Sequence, residues 1–307
     1  MPAHSQPPRF DLQSHSTRSD GALEPAAVVA AAAAAGVQLL ALTDHDTLAG
    51  VTEALRAGEE QGVSVIPAIE ISSIDDGGEA GGPRELHILG YGIDHTDPDL
   101  LRTLERFLAD REQRTLRMAE NLREAGFQLD TRAIDARVSA GEPIGRPHLA
   151  EAVLAHGANA QRLQEEEIDD IGSLIRAYLI EGKPAFALRI TPTVAEAIEA
   201  IHAAGGVAIW AHPFWDVENP EEVLAMVERF RALGIDGVEA FYVTHTREQT
   251  ELLAARCDQL GLLSTGSADF HGPENRLFSR FLAFETYGLA PNLGPIAAVT
   301  AISTESG

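Results

Sequence analysis

Residues 37–46 read Val-Gln-Leu-Leu-Ala-Leu-Thr-Asp-His-Asp. The apolar run Leu39–Thr43 is too short for a helix and reads as a buried strand. It ends in three polar side chains, Asp44, His45 and Asp46. The same shape recurs along the chain. Phe10–Leu12 leads into Gln13, Ser14 and His15, and Val63–Ala68 leads into Glu70. Val207–Ala211 is followed by His212, and Leu263–Ser267 by Asp269 and His271. Between these runs lie helical segments, about Glu24–Ala35, Gly50–Gln61, Thr193–Ala204, Glu221–Leu233 and Arg247–Leu260. The first has Pro25 in its first turn and Gly36 past its end, the usual start and stop signals. With Leu86–Tyr91 and Gly237–Phe241 added, about seven strands alternate with helices or loops. That rhythm predicts a parallel sheet with helices outside it. No Gly-rich dinucleotide turn occurs, so an α/β barrel fits better than an open doubly wound sheet.

The rhythm breaks between about Pro98 and Ile190. Charged, helix-like stretches at Asp99–Ala125, Thr131–Val138, His148–His156 and Ile168–Ile180 predict a helical insertion. The expected organisation is a discontinuous barrel, residues 1–97 and 191–284, around an insertion of residues 98–190. Residues 285–307 read as a C-terminal tail.

The whole-chain numbers narrow the function. The chain has 307 residues, 47 acidic against 23 basic, for a formal charge of −24. A duplex-binding protein normally shows a basic face, and none is visible, so duplex nucleic acid is not an expected partner. Small phosphorylated substrates stay open, because metal ions can supply positive charge locally. A single cysteine, Cys257, excludes an intrachain disulfide and a Cys-cluster zinc site. The Ala-rich run Ala26–Ala35 is too short to span a membrane. The N-terminal MPAHSQPPRF lacks a basic segment followed by an apolar one, so no secretory signal is expected and the cytoplasm is the expected compartment.

Taken singly, each polar strand end has an ordinary use. A lone His is usually a hydrogen-bonded residue, Asp20 in Ser19-Asp20-Gly21 makes a turn, and Asp269 can cap one. Taken together they form a pattern, because the C-terminal strand ends of an α/β barrel meet around one mouth. Five histidines and several carboxylates gathered there would be frustrated without a cation. Imidazole and carboxylate are matched ligands for first-row divalent metals such as manganese, iron or zinc. His87 fits least neatly, since it begins its run instead of ending it.

The ordered set DLQSHSTRSDG, ALTDHDT, Glu70, HILGYG, IAHP-like Trp210-Ala211-His212-Pro213 and SADFH resembles the PHP family, named for polymerase and histidinol phosphatase. It most resembles that family's stand-alone phosphoesterase branch, over Phe10–His271 and including the insertion. The resemblance implies a distorted seven-stranded α/β barrel holding two to three divalent metal ions. It implies one ion held by Gln13, His15, Glu70 and Asp269, and a second, bridged by Glu70, held also by His87 and His212. Asp20, His45 and His271 would hold a third. Gln13 departs from the motif, which has His there; its carbonyl oxygen can ligate, more weakly than imidazole, or its amide can bond a bound water. Asp11, Asp44 and Asp46 are expected to orient His ring nitrogens, and Glu239 to play a similar supporting part.

The implied activity is that of a metal-dependent phosphoesterase. Metal-activated hydroxide would attack a small nucleotide such as a 3′,5′-bisphosphate, with Glu70, His212, Asp269 and His271 at the reacting centre. Exonuclease action from the 5′ end of short oligonucleotides is the near alternative, and a non-catalytic metal- and phosphate-binding protein the distant one. On the insertion, Arg146 and Lys183 are implied to grip a substrate phosphate, Arg by bidentate and Lys by point-charge contact. His148 is a further candidate there, and His245 with Tyr242 at the mouth. His202 is expected to be structural or exposed, and His4, His95 and His156 to lie on the surface. No G-x-S-x-G elbow or Walker A sequence supports serine or P-loop chemistry.

Overall fold

The computed structural model describes residues 9–77, 82–188 and 192–298. The chain divides into two compact units, Met1–Arg102 with Pro192–Gly307, and Thr103–Thr191. His4, Ile190 and residues 299–307 lie outside the described residues.

The first unit is built on one seven-stranded sheet in sequence order. Its strands are β1 (Phe10–Asp11), β2 (Leu39–Leu42), β3 (Ser64–Asp75), β4 (Arg84–Tyr91), β5 (Val207–Trp210), β6 (Gly237–Tyr242) and β7 (Leu263–Ser267). Just beyond the ends of β1 and β7 the chain closes the sheet on itself. Leu12 donates its N–H to Gly266 O at 3.2 Å, and His15 donates to Phe270 O at 2.8 Å. The result is a nearly closed barrel, as the alternation of strands and helices predicts. Gly266 lets β7 pack against β6 at the irregularity in their register, because a Cβ there would lie 2.6 Å from Phe241 Cβ.

The sheet differs from the prediction in one strand. β1–β2–β3 and β5–β6–β7 pair in parallel, but β4 runs antiparallel to both neighbours. The connection from Asp75 to Arg84 is shorter than the dozen or so residues that a parallel crossover needs, and so short a return forces antiparallel pairing. This reversal accounts for His87. The start of an antiparallel strand lies level with the ends of its neighbours, and His87 pairs with Ser72 near the end of β3. Its carbonyl accepts the Ala211 N–H just after β5.

Inside the barrel, Leu12, Leu39, Ile66, Leu89 and Ile209 are buried together. Burying each such side chain is worth ~1.5–3 kcal/mol. The segment read from sequence as a tail contributes too: Leu293 and Ile296 join this core, and Asn292 bridges to Ser264. The outer helices are capped as their sequences direct. Thr193 with Glu196, and Thr246 with Gln249, form reciprocal capping boxes at Val194–Ala203 and Arg247–Leu260.

The second unit is helical. Pro98–Glu124 leads into Arg132–Ala140 and Arg146–Leu154, and a short helix, Ala160–Glu165, follows. The stretch predicted as one helix over Ile168–Ile180 is broken. Asp170 caps a single turn, Ile171–Leu174, which runs into a π-turn at Ile175–Leu179. Asp170 accepts the Ser173 N–H, so the chain restarts there instead of continuing from Ile168. Met118, Leu122, Phe127, Leu149 and Leu174 fill this unit's core. Among the described residues, no helix is long and apolar enough to cross a membrane.

Candidate metal centre

The predicted ligands of the barrel converge around Glu70, which lies within β3 and is fully buried. His87 Nδ1 lies 2.6 Å from Glu70 Oε1, and His212 Nε2 lies 3.3 Å from the same oxygen. His15 Nε2 stands 3.1 Å from Glu70 Oε2 and 3.0 Å from Asp269 Oδ1. His45 places Nδ1 3.7 Å from Glu70 and Nε2 3.7 Å from Asp20, while His271 Nε2 is 3.5 Å from Asp20. The imidazoles pack in sequence around the mouth: ring centroids are 4.2 Å apart for His15–His271, 4.7 Å for His15–His45, 4.9 Å for His45–His87 and 5.3 Å for His87–His212.

Three groups of candidate ligands emerge, each with its donor atoms within 4.8 Å of one another. They are His15, Asp20, His45 and His271; His45, Glu70 and His87; and His15, Glu70 and Asp269. Seven of the predicted ligands fall in these groups, and His212 joins them through Glu70. His45 stands in the middle group where the resemblance implies His212, although His212 also touches Glu70.

Gln13 is the ninth, and its geometry is distinct. Its Nε2 donates to Glu70 Oε2 at 2.8 Å, and its Oε1 accepts from Ser267 Oγ at 3.3 Å. A carboxylate only accepts, so the amide must turn its nitrogen toward Glu70.

Several local devices aim these side chains. Gly21 lets Asp20 turn back under His15, since a Cβ there would sit 2.1 Å from the His15 carbonyl oxygen. His212 (φ 30) and Asp269 (φ 52) occupy the left-handed region, a strain that persists where surrounding structure over-determines it and that clusters at functional sites. Asp269 has its second oxygen held by Tyr242, whose OH donates at 2.8 Å. His212 is fixed from behind by Glu239, which accepts its N–H at 2.9 Å and the Ser267 hydroxyl at 2.6 Å.

Asp11 works differently from the expectation that it orients an imidazole, whereas Asp44 reaches the His15 ring through Ser19, whose Oγ lies 3.4 Å from His15 Nδ1. Asp11 accepts the N–H groups of Ala268 and Leu282, pinning the turns after β7. Asp44 takes the Ser16 N–H at 2.7 Å and the hydroxyls of Ser16 and Ser19, holding the loop that carries His15 and Asp20. Asp46 accepts the Ser72 N–H at 2.8 Å. A carboxylate beside a His in sequence is thereby used on backbone, which residue type alone does not reveal. Asp216, four residues after His212 and 3.7 Å from its Nδ1, is a neighbour that the sequence reading missed. Its signal was the four-residue spacing on the turn that His212 opens.

The electrostatics are those of a site built around cations. Burial alone would raise the Glu70 carboxyl, yet His45 and His87, with His15 and His212, hold it well below the usual range. Burial would lower His15, but the carboxylates of Asp269 and Glu70 outweigh it and raise the imidazole well above its ordinary value. His45 goes the other way, its burial driving it down to about 3. Burial pushes Glu239 up to about 8 and Asp11 up to about 7. His15 Nε2, His45 Nδ1, His87 Nδ1 and Asp269 Oδ1 are buried and crowd one another without making a hydrogen bond of acceptable geometry. Buried polar atoms are ordinarily satisfied, and a divalent ion is the partner that would satisfy imidazole nitrogens and carboxylate oxygens together. The residues therefore fit a divalent metal centre.

A profile of the PHP domain matches residues 11–204. The chain belongs to the PHP family. Among its relatives, a 5′-3′ exoribonuclease of Haemophilus influenzae is 35% identical over 266 residues, 86% of this chain and 90% of that protein. A 3′,5′-nucleoside bisphosphate phosphatase of Chromobacterium violaceum is 31% identical over 264 residues, covering 86% and 87% of the two chains. The solved structure of an amidohydrolase from Chromobacterium violaceum, with bound sulfate and no metal, superposes with a TM-score of 0.76 at 29% identity over 95% of this chain and 96% of that one.

The remaining predicted residues of this PHP chain fall elsewhere. His245 is buried in the barrel unit, its Nδ1 3.1 Å from Ala240 O, and burial lowers it to about 4, so it is neutral at pH 7. Arg146, His148 and Lys183 belong to the second unit. Arg146 opens the helix Arg146–Leu154, and His148 accepts the Gly145 N–H at 3.1 Å, closing that helix's own cap. Lys183 is exposed in the turn after the π-turn. Buried Arg111 passes beside Gly145, where a Cβ would lie 2.7 Å from its Nη2, and donates to Ile144 O. Arg111 was not singled out from sequence, because an Arg on a long charged helix carries no mark of burial. His202 pairs at the surface with Asp236.

Proposed function

We propose that this protein hydrolyses a phosphate ester of a small nucleotide, such as a 3′,5′-bisphosphate, using two to three divalent ions. Manganese, iron and zinc all suit the nitrogen and oxygen donors. The observation that carries the reading is the set of crowded, hydrogen-bond-free donor atoms around Glu70. His15, Glu70 and Asp269 would hold one ion, Glu70 with His87 and His212 a second, and Asp20, His45 and His271 a third.

The ions, when bound, would lower the pKa of water and neutralise charge on the phosphoryl oxygens. The protein's own groups supply the positioning. Gln13 holds Glu70 Oε2, the oxygen that also faces His15 and His45, and Tyr242 restrains one Asp269 oxygen, which leaves the other toward His15 and His271. Glu239 and Ser267 hold the His212 backbone from behind. Arg146 and Lys183 would bind the phosphate that is not cleaved, with His148 acting through the Gly145–Arg146 cap.

The bisphosphate reading draws on the Chromobacterium violaceum relative. Processing of short RNA from the 5′ end is the second reading, favoured by the Haemophilus influenzae relative. Phosphate release from 3′-phosphoadenosine 5′-phosphate and nucleotide release from a short RNA, assayed in parallel, choose between them. Arg146→Ala is expected to raise KM for the bisphosphate far more than for a simple aryl phosphate. Equal rises would remove Arg146 as the phosphate anchor.

A further inference from the structure

An aromatic ledge adjoins the candidate ligands and has no part in holding metal or phosphate. The ring of Phe278 lies 5.4 Å from that of His271 and 6.2 Å from that of Tyr242, centroid to centroid. Its carbonyl accepts the His271 N–H at 2.9 Å, which ties the ledge to the site. Trp215 lies 5.5 Å from Phe278 at an interplanar angle of 60°. It is tied to a second candidate ligand, donating its N–H to His212 O at 2.8 Å within the turn Pro213–Asp216. Despite these anchors Trp215 is 50% exposed, and so is Leu277 beside Phe278. The chain's other tryptophan, Trp210, is fully buried. The barrel core does not account for an indole left in water here.

We propose that Trp215, buttressed by Phe278, is the platform on which the base of a nucleotide substrate stacks while its scissile phosphate lies at the histidine–carboxylate cluster. This deepens the nucleotide phosphoesterase reading and rests on it. The platform's place explains its composition: the organic part of an ester held at His271 and His212 must lie beside them, and Phe278 and Trp215 are the rings tied to those two residues. A neutral aromatic surface in a chain of charge −24 attracts a flat heterocycle without adding to the repulsion of phosphate. Every base has a π-face, so a platform of this kind tolerates all four bases. Loss of one stacking ring weakens binding roughly tenfold to hundredfold.

The test uses the metal-loaded full chain and two ligands, 3′-phosphoadenosine 5′-phosphate and ribose 5-phosphate, which has no base. Water-exposed tryptophan emission comes from Trp215, because Trp210 is buried. The nucleotide is expected to quench that emission and ribose 5-phosphate to leave it. Trp215→Ala is expected to raise KM for the nucleotide about tenfold or more with a much smaller change in kcat. Its KM for ribose 5-phosphate should change less than about threefold, and Trp215→Phe should restore most of the nucleotide affinity. Hydrolysis of the nucleotide with unmoved Trp215 emission, or equal KM rises for the two esters, would overturn the platform and leave the phosphoesterase reading standing. Failure of the wild-type protein to hydrolyse any phosphate ester would overturn that reading and the platform with it.

Discussion

The barrel mouth and the apolar core of the helical unit spend burial in opposite ways. At the barrel mouth, Gln13, His15, Asp44, Glu70, His212 and Asp269 are all buried, and several of their polar atoms lack hydrogen bonds. In the helical unit the buried cluster is apolar, from Met118 through Phe127 to Leu179. The charges around that core are partnered: Arg162 bonds Glu166 and Tyr178 and covers the Phe127 ring at 4.0 Å. Buried unsatisfied polarity costs stability and is retained where it serves chemistry. The comparison therefore assigns function to one interior and stability to the other.

The sharpest way to break that assignment is to alter each interior in turn. Glu70→Gln keeps the shape of the side chain and removes the charge shared by His15, His45, His87 and His212. We expect hydrolysis to fall by roughly a hundredfold to a thousandfold or more, while the far-UV circular dichroism of the metal-free variant matches the parent. Unfolding of Glu70→Gln with no specific loss of metal would show that the mouth is a structural core after all.

Phe127→Ala should do the reverse. The ring is fully buried between Arg162 and Tyr178, and its loss is expected to cost about 3–5 kcal/mol. Urea unfolding followed by circular dichroism reads this directly. A change below about 1 kcal/mol would mean that the helical unit does not depend on its apolar cluster.

Gln13→His sharpens the comparison within the mouth. Replacing the clamp by an imidazole donor should increase bound metal, by elemental analysis, toward one further equivalent per chain. Unchanged content would show that position 13 does not govern occupancy. Gln13→Ala, which removes the bonds to Glu70 and Ser267 without supplying a ligand, is expected to weaken metal affinity by about tenfold to a hundredfold.

The smallest effect concerns Cys257, which is buried on the helix Arg247–Leu260 away from the candidate ligands. Burial pushes its thiol up to about 12. It therefore stays protonated below that pH, and the thiolate that reacts with disulfide reagents is scarce. Native protein at pH 8 should leave such a reagent uncoloured and react once per chain in denaturant. Fast native reaction would mean that the outer helix opens readily.

Much of this arrangement is legible in the order of residues. A short apolar run ending in a polar pair marks both a strand and the end that faces the mouth, as in Leu39–Asp46, and the capping pairs Thr193–Glu196 and Thr246–Gln249 mark where helices begin. The reversal of β4 was not legible, because a run of apolar residues has no direction; only the short connection between β3 and β4 hinted at it. The use of Asp11 was hidden because a carboxylate bonds backbone N–H groups as readily as imidazole. Gln13 was visible as a departure, but which of its amide atoms faces Glu70 depends on Ser267, 254 positions away. Trp215 and Phe278 meet through folding alone, since 62 residues separate them in the chain.

The central claim is that the crowded donors around Glu70 hold divalent ions that the hydrolysis requires. The most direct measurement strips the purified protein of metal and returns manganese in steps, reading bound ions and phosphate release from 3′-phosphoadenosine 5′-phosphate on the same samples. The account predicts no turnover when stripped, and recovery that follows occupancy to saturation at two to three ions per chain. Undiminished turnover by protein free of metal, or full occupancy without release from this nucleotide or from short RNA, would contradict it.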